Sequence, residues 1–394
     1  MNAKQRVSAA MNHKEPDRVP VMCQLALGHY FLYCDYRPSE IWFDSVTFAK
    51  ALIDLQRLYE FDGILVNLPG RPADWKNKLK SSKTIDNKEY LYWKSGLETI
   101  VPPDDNPQTY QQGQTPLGRA DYTKVDVNDP ATYRLTGCVW NTWHIPELWD
   151  IDPQADLSEP AAYPAWFTNA LEKTRQLAPD VSIHVEVLSP FTHLMELFGY
   201  EQALMALLDE PRKCRDVLAV FTQQVLAQVK LYAECNPDAI LVSSAFAGAG
   251  FISRQMYKEF VVPYEDQIFQ SIRRHGSKSY VHTCGAIGDR LDLMSETSVD
   301  GIDALDPPPL GTVEFSEAKS KYGERFFFKG NLDAVNEMLN ADDQTFEQAV
   351  KERIKIGKPG SGYILSSSCS VAPHVKPERL KKLTFLARKF GTYS

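Results

Sequence analysis

Short apolar runs rich in β-branched residues recur along the chain, each bounded by turn residues, most followed by a stretch with helical periodicity. They are Val19 to Gln24, Asp62 to Asn67, Val181 to Val187, Ala239 to Ser244, Lys278 to His282, Gly301 to Leu305, Arg325 to Gly330 and Gly362 to Ser366. Apolar residues at three- and four-residue spacing fill 201–209, 212–234, 257–275, 289–295, 331–356 and 376–390, stretches fit to cross back over a parallel sheet. Eight strand–helix units with near-continuous apolar strands predict an α/β fold, a closed (β/α)8 TIM barrel rather than an open doubly wound sheet. Segment 70–130 breaks the alternation. It is rich in Gly, Pro, Asn and Asp, with short strand-like pieces at Tyr90–Trp93 and Glu98–Val101. It reads as a hairpin-bearing insertion after the second strand, on the catalytic face of one barrel domain spanning 1–394.

In such barrels the chemistry is done by residues at the C-terminal ends of the strands. His282 and Cys284 end the fifth predicted strand, in His282-Thr283-Cys284-Gly285. Residues two apart in a strand point to the same side. Cys369, after the eighth strand, would bring a second thiol to the same mouth. One imidazole, two thiolates and an open fourth position describe catalytic zinc. A lone His-x-Cys equally suits a hydrogen-bonded core histidine beside a buried thiol, and it is the placement at the barrel mouth that favours metal. Asn67, Glu186, Ser244, Asp306 and Asn331 end other strands and should converge there. Glu186 and Asp306 are the catalytic candidates, as a carboxylate fourth zinc ligand displaced by substrate. Their alternative role is orienting His282.

Composition narrows the partners. The 394 residues are 43% hydrophobic and 24% charged with a net charge of -8, so nucleic acid and anionic membranes meet only repulsion. No run approaches the ~18 apolar residues of a spanning helix, and the first residues carry no apolar signal region; a cytoplasmic protein is expected. Seven cysteines without a CxxC pair suit reduced thiols in a reducing compartment.

Several motifs resemble the uroporphyrinogen decarboxylase superfamily. They are Glu15-Pro16-Asp17-Arg18-Val19-Pro20, Ser189-Pro190-Phe191-Thr192 leading to Gly199, Ile252-Ser253, Pro263-Tyr264, His282-Thr283-Cys284-Gly285, Lys329-Gly330-Asn331-Leu332-Asp333 and the stretch from Cys369 to Pro377. The resemblance runs from about residue 5 to the end. Within it, the His-x-Cys with a distant Cys resembles the zinc methyltransferases that exchange methyl groups with corrinoid proteins. The decarboxylases carry Arg-x-x-Gly-Arg-Tyr after the first strand to hold porphyrinogen carboxylates. Here that stretch is Leu25-Ala26-Leu27-Gly28-His29-Tyr30, and the second strand ends in Asn67 where the decarboxylases have Asp. Neither Leu nor His replaces a bidentate guanidinium.

The resemblance therefore implies a zinc-dependent methyltransferase. It would move a methyl group between a small methoxy, methylamine or thiol compound and a corrinoid (cobalamin) protein or thiol. The metal would sit on His282, Cys284 and Cys369, with Gly28, His29, Tyr30, Asn67, Ser244 and Asn331 binding substrate. A homodimer is an expected assembly. Tyr30, Phe191, Phe246, Phe251 and Tyr264 are candidates to line a pocket for an aromatic methoxy compound, core packing being the competing role. The alternatives are a decarboxylase-like enzyme acting on a tetrapyrrole, a non-catalytic corrinoid or tetrapyrrole binder, and a corrinoid-independent zinc thiol alkylase.

Overall fold

Seven of the eight predicted strands form one parallel sheet in the computed structural model, which describes residues 1–133, 151–152 and 154–393. Numbering all strands in chain order, these are β1 (Gly63–Val66), β7 (Ser182–Leu188), β8 (Ala239–Ser243), β9 (Lys278–His282), β10 (Gly301–Ala304), β11 (Phe327–Leu332) and β12 (Tyr363–Ser367). They hydrogen-bond in the order β1-β7-β8-β9-β10-β11-β12. Helices lie between most of them in sequence. Every residue of β1, β8, β10, β11 and β12 is buried, as expected where both faces of a parallel sheet are covered.

The expected first strand, Val19 to Gln24, is not a ladder but an extended segment held by single bridges. Val21 pairs with Leu365 and Leu25 with Val371. On its other side the Asp62 amide donates to the Val21 carbonyl at 2.7 Å. Two donors are missing for a physical reason: Pro20 has no N–H, and the Val21 amide donates at 2.8 Å to the Asp62 carboxylate rather than to a neighbouring strand.

That carboxylate organises the N-terminal end of the sheet. Asp62 accepts from Arg6 Nη1 at 2.7 Å and from Arg18 Nη1 and Nη2 at 2.8 and 3.0 Å. Arg6 also donates to both oxygens of Asp17. The Arg6 and Asp62 side chains are 11% and 2% exposed, so desolvation must be offset by this full set of charge-assisted bonds. The helix Ala3–Met11 places Val7, Ala10 and Met11 in one small cluster with Met22, Leu65, Ala239, Leu241, Tyr280, Phe327 and Ile364. One apolar layer therefore draws on the Val19 to Gln24 segment and on β1, β8, β9, β11 and β12, and is plugged by the N-terminal helix.

Segment 70–130 contains a second sheet, antiparallel, of β2 (Leu79–Ile85), β3 (Lys88–Trp93), β4 (Glu98–Val101), β5 (Gln108–Gln111) and β6 (Thr115–Pro116). Two predicted helices differ from expectation. The pattern over 257–275 is split into Arg254–Phe260 and Val262–Arg274, because Pro263 lacks the amide that would continue the first helix. The pattern over 331–356 becomes an α-helix only at Asp343–Gly357; before it, the Asp333 carboxylate accepts the Val335 and Asn336 amides and leads into a π-helical turn at Asn336–Asn340. No helix among the described residues is long and apolar enough to cross a membrane.

Replacing Asp62 with Ala should lower stability by about 3–5 kcal/mol, the cost of leaving buried guanidiniums unpaired. Urea denaturation measures it; a loss under about 1 kcal/mol would contradict the role given to this carboxylate.

Candidate metal centre

Two residues beyond the apolar layer, the same side of each strand turns polar. Met22 is followed by Gln24, Leu65 by Asn67, Leu241 by Ser243, Tyr280 by His282 and Phe327 by Lys329. On β7, His184 contacts the layer through Nδ1, which lies 2.9 Å from the Tyr280 hydroxyl, and Glu186 follows it. This is the period-two logic of a strand: one step in from the plug is core, the next is site. Gln24, Asn67, Glu186, Ser243 and His282 accordingly line one cavity of about 420 Å³.

His282, Cys284 and Cys369 form the only cluster of its kind found among the described residues, their ligand atoms all within 4.8 Å of one another. His282 Nε2 is 3.3 Å from Cys284 Sγ and 3.9 Å from Cys369 Sγ, and the two sulfurs are 3.9 Å apart. Tetrahedral zinc with ordinary bond lengths spaces two sulfurs by about 3.8 Å and a nitrogen and a sulfur by about 3.6 Å, so the donors fit the ion. All three line the cavity, which leaves the fourth direction open to a ligand. β9 and β12 are three places apart, about 14 Å along a flat sheet; only strong curling brings their sulfurs into contact.

Local contacts fix each donor. Gly285, at φ +75°, turns the chain after Cys284 and donates its amide to Asp306 Oδ2 at 2.6 Å. A Cβ on Gly248 would lie 2.5 Å from the Cys284 carbonyl, so that neighbouring loop must carry glycine. On the other side, the Ser368 amide donates to Leu332 O at 2.6 Å and Ser367 Oγ to Cys369 O at 2.6 Å.

His282 is oriented through its other nitrogen. Nδ1 lies 2.8 Å from Asp303 Oδ2, and Asp303 Oδ1 accepts from Lys329 Nζ at 2.8 Å. Asp303 and Lys329 side chains are each 2% exposed. Burial pushes the Asp303 carboxyl up, but the Lys329 ammonium and the His282 ring together hold it down at about 2. As a carboxylate it keeps the proton on Nδ1 and frees Nε2 for a metal. The hydrogen bond from Cys284, together with His282, holds the Cys369 thiol well below its ordinary range, while Cys284 is pushed up, chiefly by that bond to Cys369 and by burial.

Sequence reasoning had singled out other residues whose placement differs among themselves. Glu186 lines the cavity, its carboxyl pushed up to about 7 by burial, with a Ser243 hydrogen bond opposing. Asp306 does not line it and holds the turn after Cys284. Neither carboxylate bonds His282; Asp303 does. Gly28 and Asn67 line the wall, whereas His29, Tyr30, Ser244 and Asn331 do not. His29 is fixed by the Pro373 carbonyl at 3.0 Å and the Tyr59 hydroxyl at 2.8 Å. Asn331 donates to Leu305 O at 2.9 Å and accepts from Arg353 Nε at 2.9 Å. Of the five aromatics, Phe246 and Phe251 line the cavity, and Trp42, Phe167 and Tyr232 join them. Cys138 lies outside the described residues. The residues missed were Asp303 and Lys329, yet each was visible as a charge inside an otherwise apolar strand.

A curled α/β sheet with a His-Cys-Cys cluster at the C-terminal ends of its strands defines the class. The family model of uroporphyrinogen decarboxylase matches residues 144–390, more than half of the chain, and the protein belongs to that family. It is 26% identical over 188 residues to the uroporphyrinogen decarboxylase of Thioalkalivibrio sulfidiphilus, covering 47% of this chain and 51% of that one. It is 25% identical over 194 residues to the methylcobamide:CoM methyltransferase MtbA of Methanosarcina acetivorans, covering 49% and 51%. The chain thus spans about half the length of the curated relatives it matches. Among solved structures, a methyltransferase from Methanosarcina mazei superposes over 99% of both chains with a TM-score of 0.69 at 16% identity. A B12-independent methionine synthase from Shewanella sp. W3-18-1 covers 94% of this chain and 97% of its own with a TM-score of 0.50 at 10% identity. Both show the shared fold.

Asp303→Asn keeps the shape but removes the charge that polarises His282, and should weaken zinc binding about 10–100-fold. Competition with a chromophoric chelator measures this; unchanged affinity in a folded variant would remove Asp303 from the site.

Proposed function

We propose that the protein is a zinc-dependent methyltransferase. It would transfer a methyl group between a small methylated compound and a corrinoid protein or thiol. One observation carries the reading: an imidazole and two thiols, spaced as a tetrahedral ion requires, at the wall of an apolar cavity with one direction open. Bound there, zinc would activate a thiol as thiolate or draw charge from a methyl ether oxygen as a Lewis acid.

The chain's own residues do the rest. Asp303 and Lys329 hold His282 in the ligating tautomer. Asp306 fixes the turn that carries Cys284. Glu186, a half-buried carboxyl near neutrality in the cavity wall, is placed to accept a hydrogen bond from the polar end of a substrate. The apolar walls exclude water from both partners of the transfer.

The same wall speaks against a tetrapyrrole polycarboxylate. Leu25, Ala26, Leu27 and Gly28 reach the cavity from the loop where decarboxylases would present arginines, and His29 turns away to Pro373 and Tyr59. A non-catalytic binder has no use for an open metal position. A corrinoid-independent thiol alkylase shares the metal chemistry and differs only in the methyl source.

The test pairs two assays on zinc-replete protein. In one, cob(I)alamin or a corrinoid protein is followed spectroscopically with methoxylated aromatics, methylamines and methyl thiols; in the other, uroporphyrinogen turnover is measured. Methyl transfer is expected, with Cys369→Ser slower by about 100-fold or more while circular dichroism stays native. Coproporphyrinogen formation without any change in the cobalt spectrum would refute the reading.

A further inference from the structure

The cavity has a charge character as well as a size. Its walls are largely apolar: Trp42, Phe167, Tyr232, Phe246 and Phe251 are joined by leucines, valine and prolines. Its polar groups are amides and hydroxyls, among them Gln24, Asn67, Gln228 and Ser243. No lysine or arginine is among the described residues that line it, and the two carboxylate residues there are Glu186 and Asp105. The buried cation closest in sequence register to the metal cluster, Lys329, is bound to Asp303 at 2.8 Å. Two thiolates and a neutral imidazole would cancel the charge of a zinc ion, so the metal would leave no surplus positive charge for a distant anionic group.

We propose that this site takes an aromatic substrate without carboxylate, sulfonate or phosphate, whose polar end is a neutral or cationic hydrogen-bond donor received by Glu186. The inference rests on the cavity being the substrate site of the proposed methyl transfer and adds the charge class of the molecule that enters it. The physical ground is that an anion in an apolar cavity loses its hydration and finds no counter-charge. Placed beside Glu186, it is repelled or forces a proton onto the carboxyl, and either outcome weakens binding. An ammonium or hydroxyl donor in the same place gains a charge-assisted hydrogen bond instead. The cavity volume of about 420 Å³ lies toward the small end of ligand sites and suits a single substituted ring. The aromatic cluster continues to the rim: Phe246 is 5.6 Å from Phe251 and 5.0 Å from Tyr200, ring centre to ring centre. A planar ring therefore meets stacking partners on its way in. Asp105 adds a second negative charge, exposed and more weakly felt because of solvent screening.

The test is calorimetric binding of three compounds of one shape to the zinc-replete protein without corrinoid: 4-methoxybenzylamine, 4-methoxybenzyl alcohol and 4-methoxybenzoate. The amine and the alcohol should bind on the order of tenfold more tightly than the benzoate. Glu186→Gln should bring the amine and the benzoate to within about threefold of each other. Benzoate binding as tight as the amine overturns the proposal, and so does failure of both the amine and the alcohol to bind. The ranking in the unaltered protein decides the claim even if the variant does not fold. Binding is read without turnover, so a correct ranking with no demethylation would instead count against the methyltransferase reading.

Discussion

The chain of buried charge from Lys329 through Asp303 to His282 sets the geometry on which the candidate site depends. Its three residues sit on the adjacent strands β11, β10 and β9, paired in register with Asp303 opposite both Lys329 and His282. Three ionisable groups side by side in a sheet interior are costly unless each satisfies the next. Here the ammonium neutralises the carboxylate, the carboxylate fixes the imidazole through Nδ1, and Nε2 is left facing the two sulfurs. Slipping β10 by one residue would turn Asp303 to the opposite face and leave two charges unpartnered. The ionic chain thus locks strand register and ligand orientation together.

The opposite end of the sheet uses similar chemistry for a different purpose. Asp62 gathers Arg6, Arg18 and the Val21 amide, tying the N-terminal helix and the extended segment to β1. An open surface pocket of about 350 Å³ lies over this network, lined by Arg6, Arg18 and Asp62 among others, but the Asp62 carboxylate is saturated by donors, so it stabilises rather than reacts. The Val19 to Gln24 segment, expected as a strand, serves as a clamp together with Arg18 just before it. Its proline and its side-chain-bound amide explain why it makes bridges instead of a ladder.

Much of this was legible because strands announce themselves by apolar runs, and because a histidine and two cysteines at strand ends have few roles to choose from. What could not be read was which of two adjacent residues faces inward at a strand end. Ser244 was singled out, but its neighbour Ser243 lines the cavity: one residue flips a side chain to the other face. His29 and Tyr30 lie on a short helix, Leu27–Tyr33, whose first residues face the cavity and whose others pack elsewhere. Asp303 and Lys329 lie inside their strands rather than at the strand ends. Their signal was a charge two positions beyond an inward core residue, and it needed the register to be interpreted. The aromatic wall drew on Trp42, Phe167 and Tyr232, from helices and loops remote in sequence, which no local pattern connects.

In the proposed site three side chains and no more hold one zinc ion, leaving a position for substrate. X-ray absorption at the zinc edge of the purified protein tests it most directly. One zinc per chain is expected, with two sulfur scatterers at about 2.3 Å and two lighter atoms at about 2.0–2.1 Å, one of the latter replaced by sulfur when a thiol is added. Protein that holds no zinc after reconstitution, or a spectrum with four sulfurs or none in the absence of thiol, would contradict it.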